Sequence, residues 1–239
     1  MTSVSGLQHH VAHFDDDNGA HLAGVFETRE HPCMGTTPTF DAYLANLPNG
    51  LDSYDEMMVK AGIVATVADD VARFGVSRAQ LAAELPAPLG AFISDLPPSS
   101  SWVPEVKLQA LSLYINDRFM PDDQEQWRSA YDVNTKLLSG AAYKFMLGMI
   151  SPSRVLKMGA MAYNHFHKGS RLTVIDTKTE PFLIRQAHPP HAVAEPMARM
   201  QTAILTSSLH VAGNEHAQVT LASHDAHGAE FQVTLSPQS

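Results

Sequence analysis

The feature that most constrains the fold of this chain is a change of period at Gly169. Before it, apolar side chains recur every three or four positions, the spacing of helices with one buried face. After it they alternate. Arg171 to Asp176 and Phe182 to Arg185 read as two strands joined by Thr177-Lys178-Thr179. Ala192 to Leu209 reads as a helix. Gln218 to Ala222 and Glu230 to Leu235 read as two more strands, joined by His224-Asp225-Ala226-His227-Gly228. The order strand–strand–helix–strand–strand implies a four-stranded antiparallel sheet with one long connection. The class is therefore α+β, with helices first and the sheet last.

The first half divides by its turn residues. Residues 1–19 are polar and read as a flexible arm ending at Asp15-Asp16-Asp17-Asn18-Gly19. Leu22 to Thr28 reads as a short strand, and His31 to Pro38 as a loop. A short helix starts at Thr39. Tyr54 to Phe74 sets Met57, Ala61, Val64, Ala68 and Val71 on one face, with Gly75 as the stop. Ser77 and Gln80 form a capping-box pattern, and Pro86 and Pro88 interrupt the helix they open. Residues 97–101, Pro-Pro-Ser-Ser-Ser, are a linker. Trp102 to Phe119 is expected to be helical, with Val106, Ala110 and Leu113 inward. Pro121-Asp122-Asp123 opens the next helix, which runs to Leu138 and stops at Gly140. Tyr143 to Ile150 reads as a short helix. Ser151-Pro152 caps another, with Val155, Met158, Ala162 and Phe166 expected to bury against the sheet while Arg154, Lys157 and Lys168 stay accessible. Three regions follow: the arm 1–19, a mostly helical 20–101, and an α+β ligand-binding-like domain 102–239.

Charge is distributed unevenly. Residues 1–139 hold 8 Lys/Arg and 19 Asp/Glu; residues 140–239 hold 8 and 6, for a net −9. That balance argues against nucleic acid as a partner, because phosphate neutralisation needs a basic footprint. Val133 to Ile175 nevertheless contains no acid while carrying Lys144, Arg154, Lys157, Lys168 and Arg171 with His165 and His167. Arg154, Lys157, His165, Lys168 and Arg171 are therefore the candidate site for an anionic small molecule or an acidic protein partner. A solvated face that offsets the acidic half is the plainer alternative. No run of about 18 apolar residues implies a membrane span. The absence of a leader pattern and the single Cys33 suit a cytoplasmic protein, and a homodimer is expected.

Motifs that specify a reaction are missing: no phosphate-cradling glycine loop, no Gly-x-Ser-x-Gly, no His-Glu-x-x-His. The leading expectation is a non-catalytic ligand-binding or signalling module. The thirteen histidines include His165-x-His167 and His188-x-x-His191, candidate ligands for haem or a divalent metal in a second reading. Residues two apart on a helix point in different directions, so His165 and His167 are not expected to share an ion there. Cys33 beside His31 supports a weaker third reading, a cysteine-dependent enzyme. Eleven methionines, among them Met146, Met149, Met158 and Met161, suggest an adaptable apolar lining.

A family resemblance rests on Tyr143-Lys144-Phe145-Met146, on Ile150-Ser151-Pro152 opening a helix, on His165 to Gly169 with Phe166 closing it, and on Pro189-Pro190 between strands and helix. The pattern resembles a family of myxobacterial proteins with no assigned role. Its layout is similar to vinyl-reductase-associated and haem-nitric-oxide-binding ligand domains. The resemblance spans roughly Val103 to Leu235. It implies a small-molecule sensor or signalling adaptor rather than an enzyme. The Tyr-x-Ser-x-Arg signature that grips haem propionates in that family is absent, so no histidine carries over as a proximal ligand.

Overall fold

The structure is a computed structural model that describes residues 37–138 and 151–235. The expected arm, the strand at Leu22 to Thr28, Cys33, the Gly140 stop and the helix from Tyr143 lie outside the described residues. Within them the chain forms eight α-helices and two antiparallel sheets, the α+β arrangement expected.

The helical layer comes first. Helix α1 (Pro38–Asn46) lies on α5 (Glu105–Phe119), which is buried on nearly every side and forms the axis of this layer. Between them in sequence come β1 (Met58–Lys60), α2 (Ala61–Asp70), α3 (Arg78–Glu84), α4 (Ala87–Ser94) and β2 (Trp102–Pro104). The capping box of α3 is formed as expected: Gln80 N–H donates to Ser77 Oγ at 3.2 Å, and Ser77 N–H donates to Gln80 Oε1 at 2.8 Å. Val106, Ala110 and Leu113 are fully buried.

Two helix starts differ from expectation. Tyr54 to Phe74 is not one helix: Met58–Lys60 is extended and α2 begins only at Ala61. The buried set survives, with Met57, Ala61, Val64, Ala68 and Val71 all at most 1% exposed. Likewise Trp102–Pro104 is a strand. Pro104 disfavours the helical region for Val103, so α5 starts at the next residue. Both extended segments are held by pairing. β1 stands between β2 and β3 (His167–Lys168) in a three-stranded sheet with Val59 opposite both Val103 and His167.

The second layer is the four-stranded sheet, order β4 (Arg171–Asp176), β5 (Phe182–Ala187), β7 (Gly228–Thr234), β6 (Gln218–Asp225). Its inner face carries Leu172, Ile184, Phe231 and Val233, all nearly inaccessible. Arg185 and Glu230 pair across β5 and β7 on the outer face. Helix α6 (Asp123–Leu138) lies along α8 (Glu195–Val211), and α7 (Pro152–Phe166) and α8 cover the inner face.

Helix α7 presents a different face from the one its sequence suggested. Val155 is buried, but Met158 is 38%, Met161 72% and Phe166 44% exposed, and Ala162 is also exposed. Leu156 and Ala160 take the inner positions instead. Polar anchors decide the rotation. Asn164 both donates to and accepts from the Leu172 backbone at 2.9 Å, and the Tyr163 hydroxyl reaches Ser170 and Gln186. Ser151 precedes the helix but makes no side-chain cap. Gly169 stops the segment as expected: its φ is +72°, and a Cβ there would stand 2.7 Å from the Glu56 carbonyl oxygen.

Candidate functional site

Two places outside the filled apolar cores attract chemistry. The first is a cavity of about 280 Å³ where α2, α5, α6 and α8 meet. Ile63 and Val67 supply one wall, Ile115 and Met120 a second, Val133 a third, Met200 and Ile204 a fourth. Four helices crossing here bring small residues, Ser112, Ser129 and Ala130, to the same point, and the space follows from their size. Its polar groups are committed to one another. Arg73 Nε stands 3.1 Å from Asp70 Oδ2, and its Nη2 donates to Ser129 Oγ at 2.6 Å and to Met120 Sδ at 3.0 Å. Asn116 Nδ2 donates to Met200 Sδ at 3.2 Å and to Gln126 Oε1 at 3.1 Å. Asn134 Nδ2 is engaged with Ile204 O, Ser207 and Ser208.

The second is a polar seam between the helical layer and the sheet. Glu105, at the first turn of α5, is fully buried. The His167 Nδ1 stands 3.0 Å from its Oε1. The ring is not aligned for a hydrogen bond, and the two groups form an ion pair only when the imidazole carries a proton. His167 stacks on Tyr163 with ring centroids 4.0 Å apart. Tyr163 in turn accepts from Gln186 Nε2 at 2.8 Å and shares a 2.7 Å hydrogen bond with Ser170. Burial, reinforced by the Glu105 charge, pushes the Tyr163 hydroxyl far above its ordinary pKa; the same two causes act on Tyr43, whose hydroxyl donates to the Ala192 carbonyl at 2.9 Å. Glu105 Oε2, Gln109 Oε1, Gln186 Oε1 and His188 Nε2 are buried without a partner among the described residues. Such groups cost stability when dry. The seam joins the layers through electrostatics and stacking, and it offers neither a nucleophile beside a base nor an oxyanion site.

The residues singled out from sequence fall elsewhere. Arg154 and Lys157 are exposed on the first turns of α7 and make no ion pair with a described residue. His165 is exposed, its ring edge-on to Phe166 at 5.2 Å. Lys168 lies on β3 with its ammonium 4.1 Å from the Trp102 ring centre; Lys60 approaches the same ring at 3.9 Å. Arg171 is exposed at the start of β4. About 18 Å of helix runs from Arg154 to Phe166 at 1.5 Å per residue, with Lys168 beyond its end on β3, and none of the five lines either cavity or seam.

His167 is not helical as expected; it belongs to β3 and serves the seam. His188 is buried, with its Nδ1 2.9 Å from the Pro189 carbonyl oxygen and its ring 6.2 Å from that of His224. Burial first, and the facing His224 second, lower its pKa, against opposing pulls from the Pro189 carbonyl, Asp225 and Glu105. His191 is exposed with φ +59°. No group of three His, Cys, Asp or Glu suited to a metal forms among the described residues. The cavity residues Arg73, Met120 and Met200 and the seam residue Glu105 were not legible as site residues. Only the acid of Glu105 between the apolar Trp102-Val103-Pro104 and Val106 hinted at an internal charge.

No protein-family model matches the chain. No curated protein matches it. Among solved structures, one described as probing the function of heme distortion in the H-NOX family is similar at a TM-score of 0.51. The match covers 73% of this chain and 94% of that one, at 9% identity. The fold is thus H-NOX-like, and at this identity the likeness extends to the fold alone. No helix among the described residues is long and apolar enough to cross a membrane.

Proposed function

We propose that this chain is a non-catalytic small-molecule sensor whose ligand enters the helical layer. The observation that carries this reading is the apolar cavity bounded by α2, α5, α6 and α8. α8 also packs on the sheet, so a change in its contact with α6 reaches the second layer directly. The exposed cations Arg154 and Lys157, beside Met158 and Met161, supply a surface for an acidic protein partner that reads this change.

A second reading, a haem sensor, is favoured by the likeness to an H-NOX structure. The described residues lining this cavity do not fit the group. Haem iron takes His, Cys, Tyr or Met as axial ligand. The cavity wall has no His, Cys or Tyr, and the thioethers of Met120 and Met200 each already accept an N–H. The one cation on the wall, Arg73, is paired with Asp70.

The two readings separate in one experiment. The protein is purified, its absorption spectrum recorded, and hemin titrated into it. The sensor reading expects no stoichiometric Soret band, together with a rise in melting temperature on adding small apolar compounds. A stoichiometric Soret band would establish the haem reading. Indifference to every apolar compound would remove the cavity as the site.

A further inference from the structure

We propose that the cavity in the helical layer is a site for a compact, uncharged, ring-bearing molecule of one or two fused rings. This deepens the sensor reading and rests on it, adding the chemical class of the ligand.

Size sets the first limit. A cavity of about 280 Å³ is larger than the roughly 150 Å³ hole that accepts benzene. It lies just under the roughly 300–1,000 Å³ of pockets for drug-sized ligands. A bicyclic ring system suits it, whereas a tetrapyrrole or a nucleotide exceeds it.

Charge sets the second. Among the described residues Asp70 and Arg73 are the only ionised side chains on the wall, and they neutralise each other at 3.1 Å. An anion entering here meets Asp70, and a cation meets Arg73. Hydrogen bonding sets the third. The amide donors of Asn116 and Asn134 and one end of the Arg73 guanidinium are spent within the protein. Thr66 donates to the Gly62 carbonyl. A ligand rich in polar groups would gain little, whereas an apolar one leaves these bonds intact.

The lining also explains a preference for rings. Met120 and Met200 line the cavity with polarizable side chains whose sulfurs are held by Arg73 and Asn116, while the carbon chains on the wall make favourable contacts with aromatic edges. Entry is provided at the Asp70–Arg73 end, where the two side chains are 38% and 34% exposed. An exposed pair of this kind holds weakly and opens readily.

The test compares aminonaphthalene with aminonaphthalene sulfonate on the full chain, by ligand fluorescence. The neutral compound should bind saturably at one site, with the sulfonate about tenfold weaker or more. Ala130→Phe, which fills the cavity, should abolish neutral binding without lowering the melting temperature. Val133→Phe serves if the first variant does not fold. Equal or tighter binding of the sulfonate, lost in Arg73→Ala, would overturn the neutral class and leave the sensor reading standing. Neutral binding undiminished in both filled variants would place the ligand elsewhere and overturn this assignment. No binding of either compound, with no stabilisation by any apolar compound, would remove both the class and the sensor reading.

Discussion

The two larger apolar clusters among the described residues differ in where they leave space. In the sheet layer, Leu172, Ile184, Leu209, Phe231 and Val233 interlock under α7 and α8 and are at most 2% exposed. In the helical layer, an equally buried set built on α5 is interrupted by a cavity. The strands present a regular pleat against which branched and aromatic side chains close. Four helices meeting at one point leave a gap wherever the residues there are small, as Ser112, Ser129 and Ala130 are. Filled interiors resist deformation, and underfilled ones accept ligands or rearrange. On the proposed sensor reading the sheet is the platform and the helical layer the part that responds, with the Glu105–His167 seam between them.

The sharpest way to break this contrast is to truncate one residue in each layer. Phe231→Ala should cost about 3–5 kcal/mol, as buried aromatic truncations do. Val133→Ala, which widens an existing cavity, should cost about 1 kcal/mol or less. Chemical denaturation of the two variants checks this, and equal losses would erase the distinction. A second comparison lies within α7. Leu156→Ala should lose about 2–4 kcal/mol, while Met161→Ala stays within about 0.5 kcal/mol. The reverse order would mean that the helix buries its methionine stripe.

The seam is tested by His167→Ala, which removes the imidazole that faces the buried Glu105 carboxyl and stacks on Tyr163. A loss of about 1–3 kcal/mol is expected, as for a buried polar group left without its neighbour. Adding Glu105→Gln to that variant should recover part of the loss, and no recovery would assign the effect to stacking alone. The smallest effect concerns pH. The depressed pKa of His188 means that the folded protein resists a proton that the unfolded chain accepts below about pH 6.5. Its contribution is thus present above that pH and is lost as pH falls toward the lower folded value. His188→Gln should flatten the fall of the denaturation midpoint between about pH 7 and pH 5 relative to the parent. Parallel curves would show that His188 titrates normally.

Sequence pattern alone determined the strand–strand–helix–strand–strand order after Gly169, the capping box at Ser77 and the buried set from Met57 to Val71. Each is a local matter of propensity, spacing or a backbone angle. Tertiary structure decided the rest. Met58–Lys60 and Trp102–Pro104 are extended because they pair with each other and with β3, and no local signal encodes a partner that distant. α7 carried two apolar stripes, and hydrogen bonds from Tyr163 and Asn164 to groups up to 23 positions away chose between them. The acid-free segment was legible as charge, yet Arg154, Lys157, Lys168 and Arg171 spread along a helix and two strands instead of converging. The cavity and the seam are assembled from residues between 63 and 204 and between 43 and 192, respectively. Their chemistry exists only once the layers are packed, because a void and a buried charge are properties of neighbours and not of any one residue.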